Sequence, residues 1–309
     1  MAKTADVSVI VAAYQANATI ARTLASIAGQ TLKPKEVVIV DDGSTDATFE
    51  AANAASANMN GIELRVFRSE GNLGAGAARN RAIEEATGTY LAFLDADDEW
   101  MAEKLERSMA HMESGDYVLV GHDYVTEDGP PHHCEQRFLE SGDAFVNLYR
   151  KGYIASSSVV VRRGAVIAAG GFDPGLRNAQ DFDLWLALTR GPDSHFLVFG
   201  DALLRYHPGP GGIMSHTQRR LECCLTIAQR YIPDLKRRPG SALMSLWFRV
   251  IALHLEAVQA YGVLGNILGI LWAAGKCPFS LLIMTALSLF PQTPKRGRFI
   301  DGEGLKSLD

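Results

Sequence analysis

Asp95, Asp97, Asp98 and Glu99 fall within five positions at the end of an apolar run, "YLAFLDADDEW" (90–100). Carboxylates this close repel one another and raise each other's pKa unless a cation or a set of donors holds them. Two readings follow. The acids form a solvated turn whose Asp98 N-caps the next helix, or they hold a divalent cation, for which carboxylate oxygen is a preferred hard ligand. Asp41 and Asp42 end a second apolar run, "EVVIVDD" (36–42), where Gly43 can turn the chain and Ser44 or Asp46 can cap a helix. Tyr14 ends a third run, "VSVIVAAY" (7–14). In "GNLGAGAARNRAI" (71–83) the glycines permit close backbone approach and Arg79 stands one turn into a helix. Asp181 and Asp183 stand two apart in "AQDFDLW", and His207 follows Arg205 in "RYHPGPGG". His132 and His133 sit beside Pro130 and Pro131 and read as a surface loop.

These residues need a frame. Short β-branched runs at 7–14, 36–42, 62–69, 89–97 and 116–125 alternate with helical stretches at Thr19–Ala28, Ala47–Ala57, Gly76–Ala86 and Met101–Met112. Continuous apolar strands alternating with helices imply an α/β fold, a doubly wound, mostly parallel sheet with helices on both faces. Such sheets bind ligands outside the carboxyl ends of their strands, and Tyr14, Asp41, Asp42, Asp95, Asp97 and Asp98 all arrive at those ends. Further along, 141–152 reads as a short helix, "ASSSVVVRR" (155–163) as a strand and Asp183–Arg190 as an amphipathic helix.

The 309 residues are 47% hydrophobic and 21% charged, enough for a sizeable core. Net charge is −5, but residues 236–309 carry nine Lys/Arg against four Asp/Glu, and residues 1–235 carry 21 against 31. An acidic body with a basic, apolar tail suits a membrane surface and argues against nucleic acid as a partner. Four cysteines without a CxxC pair fit a reducing compartment. The first residues show no long apolar stretch after Lys3, so a cytoplasmic location is expected. Val263–Gly275 and Pro278–Phe290 are apolar segments of 13 residues each. Each is shorter than the roughly 20 residues a crossing helix needs, so helices lying in the interface or a re-entrant hairpin are expected. Trp247, Trp272 and "PKRGR" would supply interfacial aromatics and a basic patch.

With "VSVIVAAYQ", "EVVIVDDGSTD", "GNLGAGAARNRAI", "YLAFLDADD", "NAQDFDLWL" and "RYHPGPGGIMS" in this order, the chain resembles a family 2 glycosyltransferase of GT-A fold, of the bacterial envelope or exopolysaccharide type. The likeness covers roughly residues 5–215. It implies a catalytic, nucleotide-sugar-binding domain over 1–215, with 216–309 a helical, membrane-associated region on the cytoplasmic face of the inner membrane. The resemblance places Ala13, Tyr14, Asp41, Asp42, Arg79, Asp95 and Asp97 on the donor nucleotide. It assigns Mn²⁺ or Mg²⁺ to Asp97 and Asp95 with His207, and the general base to Asp181. By family habit the donor is a UDP-sugar and the acceptor a glycan or lipid-linked hydroxyl, with inversion at the anomeric carbon. Ala13 stands where relatives often carry proline, and Gln180 where the motif commonly reads Glu, so acceptor contacts or the base's pKa can differ. Asp183 is the alternative base. A nucleotidyltransferase is disfavoured because "AAYQANATIA" has neither glycine nor lysine, and a catalytically inactive binding module is the reading from another class.

Overall fold

The computed structural model describes residues 4–126, 129, 131–134, 138, 142–152, 154–207, 216–290 and 296–300, so "PGPGGIMS" after His207 lies outside it. The chain opens as β1 (Thr4–Ala13), α1 (Ile20–Ala28), β2 (Lys33–Asp41), α2 (Thr48–Ala54), β3 (Glu63–Arg68), α3 (Ala75–Glu85) and β4 (Tyr90–Phe93). It continues as β5 (Glu99–Trp100), α4 (Lys104–Ser114), β6 (Tyr117–Thr126), α5 (Ala144–Lys151), β7 (Val160–Arg162), α6 (Arg163–Ala168), α7 (Gln180–Leu188) and β8 (His195–Tyr206). Four helices end it: α8 (Thr217–Arg230), α9 (Ile232–Lys236), α10 (Ala242–Val263) and α11 (Ile267–Leu289).

The strands form one sheet in the order β3-β2-β1-β4-β7-β6-β8-β5. β1 runs parallel to β2 and β4, β2 to β3, and β6 to β8. β7 is antiparallel to both β4 and β6, and β5 to β8. The sheet is thus parallel-dominated but mixed, and β6 is separated from β4 by an antiparallel strand of three residues. Apolar patterning reports how deeply a strand is buried, not its neighbour or direction. Alternation along β1 divides the core: Val7, Val9 and Val11 pack with α1 and α4, whereas Ile10 packs with α3, α7 and the C-terminal helices.

Several boundaries differ from the sequence reading. α4 starts at Lys104 behind Glu103 rather than at Met101, and Asp98 is no N-cap: it is 1% exposed and hydrogen-bonded elsewhere. Only Val160–Arg162 of "ASSSVVVRR" is strand, and Ser156–Ser158 form a tight turn. Between α4 and β6 lies a group of buried polar atoms without hydrogen-bond partners: Lys104 Nζ, Ser108 Oγ and His122 Nε2. Burial holds the Lys104 ammonium pKa well below its ordinary value and pushes His122 down to about 3.

The tail departs most. Val263–Gly275 and Pro278–Phe290 are not two short segments; most of both lies in the single 23-residue helix α11, with Pro278 inside it. Proline removes one helical hydrogen bond and ordinarily kinks a helix, but the buried stripe Ala273, Ser280, Met284 and Ser288 runs unbroken through it. α11 lies against α10: His254 Nδ1 is 3.0 Å from Ala273 O, Trp247 Nε1 donates to Thr285 Oγ1 at 2.8 Å, and Tyr261 meets Trp272 edge-on. Tertiary packing overrides the local breaker. α10 and α11 are each long and apolar enough to cross a membrane by length and composition. Their large side chains Leu255, Val263, Leu264, Ile267, Leu268 and Leu271 are exposed. The same helices share the core below the sheet, where Tyr231, Leu246, Val250 and Met284 join Trp185 and Leu148.

Candidate active site

β1, β2 and β4 are parallel, so their carboxyl ends share a rim, with β1 where the strand order reverses. The rim opens into a cavity of about 760 Å³ lined by residues from Ala12 to Arg249. Of the expected site residues, Ala13, Tyr14, Asp42, Arg79, Asp95, Asp97, Asp181 and His207 all line it; Asp41 does not. Tyr14 is half exposed at the mouth rather than buried in the core.

Loop geometry explains the placement. Gly43 adopts φ +72°, and a Cβ there would fall 2.7 Å from the backbone of Gly71, so the two glycines let the "DDGS" and "GNLG" loops touch. Asp42 fixes that contact by accepting N–H bonds from Leu73 (3.0 Å) and Gly74 (2.7 Å). Asp41, fully buried, accepts from Ser44 N and faces Arg68 at 3.3 Å. Among the described residues, non-glycine residues in the left-handed region are Gln15, Asn60 and Ala179. Gln15 and Ala179 line the cavity, and strain of this kind gathers at functional sites.

The acids differ in their surroundings. Asp95 pairs with the buried Arg79 at 2.5 Å, which ties this cavity-lining arginine to the acidic strand end. Asp97 is pushed up to about 6, first by burial and then by Asp95. Asp98 is pushed up to about 8 by burial, with Asp95 and Asp97 adding to it. It accepts from Ser157 Oγ (2.6 Å) and His207 N (3.0 Å), so it braces the end of β8 against the serine turn. Ser157 Oγ also accepts from Asp95 N. His207 itself turns its ring to Glu99, with Nε2 2.9 Å from Oε1.

α7 separates two acids that the sequence left open. Asp181 Oδ2 accepts from Ser156 Oγ at 2.9 Å and Oδ1 from Phe182 N at 2.8 Å. Its pKa is raised by burial, with Arg79 opposing. Asp183 faces the other way, fully buried between Arg230 (2.8 Å) and Arg296 (2.7 Å) with the Tyr231 hydroxyl. It is a structural anchor for the C-terminal region and does not line the cavity. Ser156 and Ser157, which set Asp181 and Asp98, were legible in the sequence only as a strand start. Arg22, Arg177, Arg219, Arg220 and Arg249 also line the cavity. Their one sequence signal was the adjacent Arg219–Arg220 pair at a helix start.

Asp95 and Asp97 offer hard carboxylate oxygen toward the cavity, a donor set that fits Mg²⁺ or Mn²⁺. Among the described residues no group of three His, Cys, Asp or Glu is arranged to hold an ion. A cation here would therefore depend on ligands from a bound diphosphate as well.

The family model "Glycosyl transferase family 2" matches residues 8–167. The amylovoran biosynthesis glycosyltransferase AmsB of Erwinia amylovora is 31% identical over 211 residues, 65% of this chain and 69% of that protein. WfaP of Escherichia coli, a UDP-Glc:alpha-D-GlcNAc-diphosphoundecaprenol beta-1,3-glucosyltransferase, is 31% identical over 216 residues, 66% of this chain and 78% of that protein. The crystal structure of S. aureus TarS 1–349 with UDP-GlcNAc superposes with TM-score 0.67 at 21% identity, covering 91% of this chain and 83% of that chain. That likeness gives the same GT-A fold.

Proposed function

The chain belongs to glycosyl transferase family 2, and from that premise we propose that it moves a sugar from a UDP-sugar to a hydroxyl of a lipid-linked or glycan acceptor, with inversion. One observation carries the reading. A single cavity gathers Tyr14 and Asp42, an acidic strand end (Asp95, Asp97) and a separately held carboxylate, Asp181. The relatives AmsB and WfaP act in amylovoran biosynthesis and on a diphosphoundecaprenol-linked sugar, as their names state.

In this reading Asp42, held by the "GNLG" loop, and Tyr14 receive the base. Asp97 and Asp95 would hold Mn²⁺ or Mg²⁺, which supplies charge neutralisation for the leaving diphosphate. Arg79 orients Asp95. Asp181 takes the acceptor hydroxyl's proton as the new C1–O bond forms and the bond to the diphosphate breaks. Ser156 aims the carboxylate, and burial raises its pKa, making it a better proton acceptor once ionised. His207 completes the rim beside Glu99. In this proposal residues 1–215 carry the transfer chemistry, with α8 and α10 closing one side of the cavity, and α10 and α11 seat the enzyme on the cytoplasmic face of the membrane. The charge-free stretch 257–275 and the exposed apolar tip of the α10–α11 hairpin support that seat.

Calorimetric titration of the full chain with UDP, GDP and dTDP, with and without Mn²⁺, tests the donor reading. UDP binding that requires metal in the parent and is lost in Asp97→Ala is the expected outcome. Equal binding with and without Mn²⁺, or no nucleotide binding at all, defeats it.

A further inference from the structure

The cavity has a second wall unlike the first. From Pro174 onward its described lining comes from the α7 entrance, the end of β8, α8 and α10. It contains Arg177, Arg219, Arg220 and Arg249 and, apart from Asp181, no acid. His216, Arg219, Arg220 and Cys224 stand at i, i+3, i+4 and i+8, one face of the 14-residue α8, and bring its N-terminal end to the cavity. A helix N-terminus favours negative charge.

Arg249 gives the independent observation. It is 3% exposed, yet it lines the cavity, and its Nε has no hydrogen-bond partner. Its guanidinium lies over the Phe182 ring at 4.8 Å, one residue from Asp181. Glu256 is shared: 3.6 Å from Arg249 and 3.4 Å from Arg220. One half-exposed carboxylate therefore faces two arginines, and a buried cation with an unmet donor is costly unless an anion arrives. The donor's diphosphate is assigned to the acidic wall, so this cationic wall is available to another anion.

We propose that Arg219, Arg220 and Arg249 bind a phosphate or diphosphate ester of the acceptor, next to Asp181. This deepens the glycosyltransferase reading and rests on it. A planar guanidinium forks onto phosphate oxygens with paired donors, which would place the acceptor's sugar hydroxyl at Asp181. The wall continues into α10, whose outer face carries exposed Met244, Phe248, Ile251 and Leu255, so the favoured acceptor is an amphiphile with its lipid toward that face.

The test uses the full chain saturated with UDP and Mn²⁺, titrated with farnesyl diphosphate, inorganic pyrophosphate and farnesol. Farnesyl diphosphate should bind without displacing UDP, and farnesol should bind far more weakly. Arg219→Gln/Arg220→Gln should weaken that binding by roughly tenfold or more, with UDP affinity unchanged. Arg249→Met should do the same. If it fails to fold, the surface double variant carries the result. Pyrophosphate binding as tightly as farnesyl diphosphate, lost in the same variants, upholds the anion subsite with a soluble phosphorylated glycan as its source. Equal binding by parent and double variant, or displacement of UDP by farnesyl diphosphate, overturns the proposal. A parent that binds no nucleotide sinks the donor reading alone, because the phosphate titrations still report on these arginines in the nucleotide-free protein.

Discussion

Asp181→Asn removes a charge and keeps the volume. In the fold, Asp181 makes two contacts: it accepts from Ser156 Oγ at 2.9 Å and from Phe182 N at 2.8 Å. The asparagine oxygen can keep the second, and its amide can donate to the serine oxygen in the first. The stability cost is therefore about 1 kcal/mol or less. Loss of a general base removes roughly 10²–10⁴ in rate, or about 3–5 kcal/mol of barrier. Nucleotide affinity, melting temperature and kcat should thus separate, with only kcat collapsing. The pH profile adds a second readout. Burial raises the Asp181 pKa, so the ionised base appears only above that raised value. The parent's kcat should climb with pH along this limb, and the variant's should not. Asp183→Asn is the internal control: it weakens a buried cluster with Arg230, Arg296 and Tyr231. Breaking such a group costs about 3–5 kcal/mol, or roughly 10 °C of melting temperature, while the folded variant still turns over. A fully active Asp181→Asn beside a folded but dead Asp183→Asn would transfer the base to Asp183 and refute the assignment.

Glu36 is 1% exposed and accepts from Ser8, Thr87 and Arg65. Burial alone would raise its pKa, but these donors together lower it from 4.5 to about 2. The folded value is depressed, so its contribution, about 3 kcal/mol, is present above pH 4.5 and lost as pH falls toward 2. Glu36→Gln should be destabilised at pH 7 and show a flatter acid limb in urea melts; a parent-like limb contradicts the linkage. Lys104 is buried with its pKa depressed, so the unfolded chain carries the extra proton and stability rises with pH up to the unfolded pKa. Lys104→Met should be more stable at pH 7 and lack that rise, about 1.4 kcal/mol per pH unit where native Lys104 is neutral. A destabilised variant would show that the ammonium, 4.2 Å from the Trp100 ring centre, is retained. Val263→Glu/Leu268→Glu should release the full chain from anionic liposomes in a pelleting assay. Parent protein that never pellets removes the membrane seat.

The sheet's first half, its rim of acids and the family were legible in the sequence because they are local. A strand's apolar run and the polar residue that ends it are neighbours in the chain: Tyr14 after β1, Asp41 and Asp42 with the turning Gly43 at the end of β2, Asp95 and Asp97 after β4. What lay out of reach was set by contacts between distant segments. "ASSSVVVRR" reads as strand, yet Ser156 and Ser157 hydrogen-bond to Asp181 and Asp98 across separations of 25 and 59 residues. Pro278 reads as a break, yet burial against α10 carries α11 through it. In "AQDFDLW" the family resemblance favours Asp181 with Asp183 as the alternative, and local sequence does not say where either side chain goes. α7 turns one toward the cavity and the other onto arginines 47 and 113 residues away. By itself the sequence determined which elements form in the sheet's first half and which ionisable groups end its strands, since residue type and local period fix chemistry and element. Only the tertiary structure decided which carboxylate lines the cavity and that arginines of α8 and α10 share it, because burial and pairing depend on what the fold brings to the same place.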